Sequence, residues 1–163
     1  MPNKFTPVII STTIITAITL FPFINFINFI CCAGVILGVF AGTNYYNNRL
    51  KRNGEIIQYK DGAAIGVLSG LLSAIISVMI LTLLSIITKE NPVPTLYNLI
   101  DKQGYNLPPD VEQLLQKISD EYSRNGFSIT ITIANLILYI ITYPLFGLLG
   151  GILSVSIFNR KKT

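Results

Sequence analysis

The sequence predicts an all-α fold: an integral membrane helical bundle of four transmembrane helices plus an extracytoplasmic amphipathic helix. Three observations carry this. Of 163 residues, 51% are hydrophobic and only 12% charged, against about 25% charged in an ordinary soluble domain. The charges gather in a few segments and leave apolar runs longer than the roughly 20 residues a bilayer crossing needs. Those runs carry small residues at regular spacing: Gly34, Gly38 and Gly42, then Gly62, Gly66 and Gly70, then Gly147, Gly150 and Gly151. At helical pitch, glycines four apart form one shallow groove, which lets a neighbouring helix approach closely in lipid. The length suits a single membrane domain, 1–163, with one helical insertion.

The run from Phe5 to Tyr46 is almost continuously apolar and uncharged, about twice a single span. Pro22, Asn25 and Asn28 interrupt its middle. A proline costs a helix interior about 3 kcal/mol, so the run is expected to split into spans 7–21 and 26–46. Residues 22–25 then turn at an interface, and Lys4 snorkels from the short first span. A single kinked helix of this length would carry apolar surface far outside the bilayer. Ala33 and Ala41 flank the glycine track of the second span, and Tyr45 and Tyr46 close it as interfacial anchors.

Residues 47–61 form a loop with Arg49, Lys51, Arg52 and Lys60 against Glu55 and Asp61. Such a basic excess marks a cytoplasmic loop, and Asn53-Gly54 is a turn signal. Asp61 is expected to cap the start of the third span, 62–88, by accepting from its first amides. The short loop makes spans two and three antiparallel neighbours. The simplest arrangement packs their glycine tracks together, or one of them against the last span.

Residues 89–126 are the one long polar segment. Four basic residues (Lys89, Lys102, Lys117, Arg124) stand against six acidic ones (Glu90, Asp101, Asp110, Glu112, Asp120, Glu121), a net of −2. A short helix is expected over Thr95–Gln103, closed by Gly104. Pro108-Pro109 then opens a second to about Arg124, closed by Gly126. Val111, Leu114, Leu115, Ile118 and Tyr122 fall in one stripe of this second helix. It lies on the membrane or packs over the bundle mouth. The last span, 127–158, contains Pro144, where a kink is expected, and ends on Arg160, Lys161 and Lys162. With four spans, Lys4, the basic loop and the basic tail share the cytoplasmic side, so both termini are expected there.

Several chemistries are excluded. The chain has no histidine, and its two cysteines, Cys31 and Cys32, are adjacent. This removes the usual metal-ligand sets, the usual general acid–base residue and the Ser-His or Cys-His nucleophile systems. No catalytic, cofactor or metal residue is expected, and no enzyme. The formal charge of +4 sits at the ends of spans, without a basic stripe interleaved with aromatics, so no nucleic-acid partner is expected. Cys31 and Cys32 read as small packing residues.

What remains is a structural or accessory membrane protein. It would pack through its glycine faces and its extracytoplasmic helix, as a homo-oligomer or in a larger membrane complex. The alternative is a small oligomeric channel or transporter. Asn25, Asn28, Asn135, Ser69, Ser73, Ser77 and the threonines from Thr12 to Thr19 would line its path. Against it, no charge lies in mid-membrane, where transport sites usually place one.

The combination CCAGVILGVFAG, QYKDGAAIGVLSGLLSAI and YPLFGLLGGILSVSIFNRKK resembles a group of small uncharacterised bacterial membrane proteins. These pair a cysteine-and-glycine-rich span with a D-G-A-x-x-G-x-x-x-G span and finish on a glycine-rich basic end. The resemblance covers most of Cys31–Lys162. It implies a four-span topology in a bacterial cytoplasmic membrane, and carries over no catalytic residue.

Overall fold

A computed structural model describes residues 3–20, 32–89, 91–104 and 107–160. These form six helices and no strand: α1 Phe5–Leu20, α2 Ala33–Arg52, α3 Tyr59–Thr88, α4 Val93–Lys102, α5 Pro109–Asn125 and α6 Ile129–Arg160. The expected break at Pro22–Asn25 and the residue Cys31 lie outside the described residues.

Helix bounds differ from the sequence expectation for local reasons. α2 runs on through Arg52, so it takes six of the fifteen residues of the expected loop 47–61. Tyr46, Asn47 and Leu50 continue the buried register of Val39 and Thr43, and three basic residues in the last turn favour the helix dipole. Gly54, at φ 73°, ends the turn. Its amide donates to Lys51 O, and that of Glu55 to Leu50 O. α4 starts at Val93 rather than Thr95 because a proline in the first helical turn needs no amide partner. The Asn91 carboxamide assists: its Oδ1 accepts from Val93 N at 3.0 Å and its Nδ2 donates to Ser119 Oγ of α5 at 3.0 Å. Gly104 and Gly126 take the left-handed conformation after α4 and α5, with φ 70° and 75°. α3 has no glycine at its end, and Lys89 adopts φ 53° there instead.

α6 begins at Ile129 rather than residue 127, held by a carboxylate from the preceding helix. Glu121 Oε2 accepts from Ser128 Oγ at 2.5 Å and from Thr130 N at 3.0 Å, and Oε1 accepts from Thr130 Oγ1 at 2.8 Å. The Ser128 hydroxyl bond, then the Thr130 bonds, lower the Glu121 pKa to about 2. An anion at a helix N-terminus also meets the favourable end of the dipole.

Among the described residues two helices, α3 and α6, are long and apolar enough to cross a membrane. That is fewer than the four spans expected. α1 is apolar but only 16 residues long, and the last third of α2 is polar, from Asn47 to Arg52.

The chain gathers into two compact units: Met1–Ser77 with Ile137–Thr163, and Val78–Leu136. The first holds two apolar clusters. One joins Val8, Tyr46, Leu50, Ile57, Ile65, Val155 and Phe158; the other joins Ile15, Val35, Val39, Ala74 and Tyr143. The second unit packs Val93, Leu115 and Ile118 with Tyr97, Leu107, Tyr122 and Ile131.

Candidate functional site

In the first unit, polarity is inverted relative to a soluble protein. Hydroxyls and glycines are inside: Ser11, Thr12, Thr16, Thr19, Thr43, Ser69, Ser73, Ser77 and Ser154 are buried. Large apolar side chains are outside: Leu68, Leu72, Ile75 and Ile76 on α3, and Leu145, Leu149, Leu153 and Ile157 on α6, are exposed. The glycines explain the interior. Gly66 and Gly147 each direct a Cα–H towards the other's carbonyl oxygen, and Gly62 and Gly151 do the same one turn away. A Cβ added at Gly66 would collide with the backbone of Gly147, and one at Gly62 would lie 2.5 Å from Gly151 O. At Gly70 it would lie 2.6 Å from the carbonyl carbon and oxygen of Tyr143. Three successive turns of α3 therefore rest on the α6 backbone. Each reciprocal Cα–H···O contact adds about 0.5–1 kcal/mol.

The α2 track has a different neighbour. A Cβ at Gly38 would meet Ile15 Cγ1 at 2.5 Å, and one at Gly42 would meet Ser11 and the Pro7 carbonyl, so both face α1. Gly34 is buried on α2 with them. Gly150 faces α2, with Ile36 Cα 3.0 Å from its would-be Cβ. Of the arrangements the sequence allowed, the α3 track meets the last helix. The tracks of α2 and α3 do not meet each other, because the short, serine- and threonine-lined α1 takes the α2 track.

Four of these buried hydroxyls, on Thr19, Ser69, Ser73 and Ser154, bond back to their own helices. Ser69 Oγ donates to Ile65 O at 2.6 Å, Ser73 to Ser69 O at 2.7 Å and Ser154 to Gly150 O at 2.6 Å. This back-bonding costs little and needs no ligand. Three bonds of the buried hydroxyls cross helices: the hydroxyls of Thr19 and Tyr143 are 2.9 Å apart, Thr12 Oγ1 donates to Ser69 O at 3.5 Å, and Ser69 Oγ donates to Val8 O at 3.5 Å. Ser11, Thr16, Thr43 and Ser77 keep buried hydroxyl oxygens with no hydrogen-bond partner among the described residues.

Asp61 stands in the first turn of α3 rather than before it, because the helix starts at Tyr59. Its Oδ2 accepts from Gln58 N at 3.2 Å, the reciprocal half of a capping box. Its Oδ1 meets Lys4 Nζ at 2.7 Å. The hydrogen bond to Asp61 raises the Lys4 pKa above its ordinary value, against a smaller opposing effect of burial. The sequence reading placed both residues at span ends on one side but did not pair them. It also passed over Ser11 and the Glu121 cap; hydroxyls at positions 128 and 130, just after the helix-closing Gly126, were the available signal for the cap.

Cys32 is half-buried beside the cluster of Ile15, Val35 and Val39. Among the described residues, no group of three His, Cys, Asp or Glu side chains could hold a metal ion. Comparison with known proteins adds no relative: no family model, curated protein or solved structure matches the chain.

Proposed function

We propose that this chain is a structural or accessory protein of a bacterial cytoplasmic membrane. It is a four-span bundle with both termini in the cytoplasm and the α4–α5 segment outside. The observation that carries the reading is the inverted polarity of α3 and α6. Glycine and serine are buried at helical spacing while leucine and isoleucine are exposed over many turns, an arrangement that water disfavours and lipid accepts. α1 and α2 complete the four spans. α1 is thinner than the bilayer, and mismatch of this kind is met by local thinning or by snorkelling of Lys4. The basic residues of α2 at Arg49, Lys51 and Arg52 lie with Lys60 on the cytoplasmic side.

The glycine tracks have occupants within the chain, so they serve as the frame. Contacts to a larger complex, or to a second copy, fall to the amphipathic α4–α5 pair and the lipid-facing surfaces. Extraction of membranes at alkaline pH, followed by purification in mild detergent, tests this. The protein should stay in the pellet and then co-purify with membrane partners or as an oligomer. Release into the supernatant, or a partner-free monomer, contradicts it.

A second reading, a small channel or transporter, draws on the four buried hydroxyls without partners. Reconstituted vesicles would then pass ions or small solutes, and absence of flux removes the reading.

A further inference from the structure

In Val78–Leu136 the end of α3 and helices α4 and α5 border an open groove of about 1060 Å³. Its apolar walls are Leu81 and Leu84 of α3, Leu96 and Leu99 of α4, and Leu115 and Ile118 of α5. A recess of about 210 Å³ adjoins it, sharing Leu81, Ser85, Tyr122 and Ile131. The recess adds the hydroxyls of Thr82 and Thr132 and the carboxamide of Asn135. Among the described residues, no charged side chain lines either space. Protein interiors ordinarily fill such volume with side chains. This one has the size and lining of a site for an apolar ligand with a few uncharged polar contacts.

The length of α3 says where that ligand comes from. Its 30 residues extend about 45 Å, against a hydrocarbon core of about 30 Å. Counted from Asp61, about 20 residues cross the core, which brings the chain to Leu81. Leu83, Leu84, Ile86 and Ile87 follow, and all four are exposed. Apolar surface left among headgroups costs about 25 cal/mol per Å². The exposed flank of α3 therefore runs without a polar break from lipid to the groove wall at Leu84.

We propose that the groove holds one acyl chain of a membrane phospholipid, with the chain along Leu84, Leu96 and Leu99 and its ester carbonyl towards the Asn135 amide. The phosphate stays outside, since no cation lines the site among the described residues. This rests on the membrane reading above.

The full chain, reconstituted in phosphatidylethanolamine–phosphatidylglycerol vesicles, is irradiated with a trace of phosphatidylethanolamine carrying a diazirine on one acyl chain, and adducts are mapped by mass spectrometry. Adducts are expected on Leu96 and Leu99 as well as on the lipid-facing Leu145 and Leu149. Leu99→Trp, which fills the groove, and the Leu96→Asn/Leu99→Asn pair should each lower adducts on Leu84 and Leu115 by about fivefold. Labelling at Leu145 is unchanged in both, which reports that the bundle has folded. Adducts at Leu145 and Leu149 with none in the groove overturn the proposal and leave the membrane reading standing; a second copy or a protein partner filling the groove gives this result. Groove adducts that persist in both variants also overturn it. Absence of adducts at every one of these positions contradicts the membrane reading itself.

Discussion

The two halves of α3 belong to one apolar helix, yet pack differently. From Gly62 to Ser77 a small residue recurs every turn, and the α6 backbone lies directly on its glycines, Gly62, Gly66 and Gly70. From Val78 to Thr88 there is no glycine, and the side chains are Val, Met, Ile, Leu, Thr and Ser. There α3 and α6 line a recess of about 210 Å³. α6 mirrors this, with Gly147, Gly150 and Gly151 in one half and none from Ile129 to Leu136. Hydrophobicity alone therefore does not make these helices touch. The absence of a Cβ at spacing four does, because dispersion gains fall steeply once backbones are held apart.

The largest test of this contrast is Gly66. A Cβ there meets backbone atoms of Gly147, which cannot move without shifting α6. Gly66→Ala should destabilise the bundle by about 2–3 kcal/mol, and Gly66→Leu should prevent folding in detergent. Thermal unfolding of the purified protein reads both. Unchanged stability in Gly66→Leu would refute the close seam.

Asp61→Asn comes next. It leaves Lys4 without its 2.7 Å partner, at a cost of about 1 kcal/mol because the lysine is partly solvated. The sign with pH follows from the raised Lys4 pKa. The pair's contribution is full below the ordinary value of 10.5 and is lost as pH rises through the folded-state value. Wild type should lose stability on alkaline titration, and Asp61→Asn should lack that component.

Glu121 acts locally and with the opposite sign. Its pKa is lowered to about 2, so its contribution is full above the ordinary 4.5 and is lost as pH falls towards 2. Amide exchange at Thr130 and Ile131 should accelerate across that window, and Glu121→Gln should exchange fast throughout. The smallest effect is expected in the open half. Thr82→Ala removes one 3.4 Å contact to Thr132 and should cost no more than about 0.6 kcal/mol.

How much of this was legible depends on the range of the interaction. Helices α4 and α5 could be read to within two residues from Pro94, Gly104, Pro109 and Gly126, because turn chemistry is local. The glycine tracks were equally legible as faces. Their partners were not: spacing shows that Gly38 and Gly42 form a groove, but only the fold shows Ser11 and Ile15 of α1 filling it. The start of α6 was misjudged for a related reason. The Glu121 carboxylate lies seven and nine residues before the hydroxyls it meets, beyond a window that reads caps three residues apart. α2 overran its expected end because Asn47 and Leu50 bury on a face that polarity alone assigned to a loop.

The central claim is a four-span bundle with one polar insertion outside the membrane. Single cysteines at Asn3, Asn53, Gln103 and Thr163, in a background lacking Cys31 and Cys32, test it with an impermeant maleimide on intact cells. Only the cysteine at Gln103 should react before lysis, and all four afterwards. Reaction at Asn3 without lysis would mean that residues 5–46 cross the membrane once, and would contradict the account.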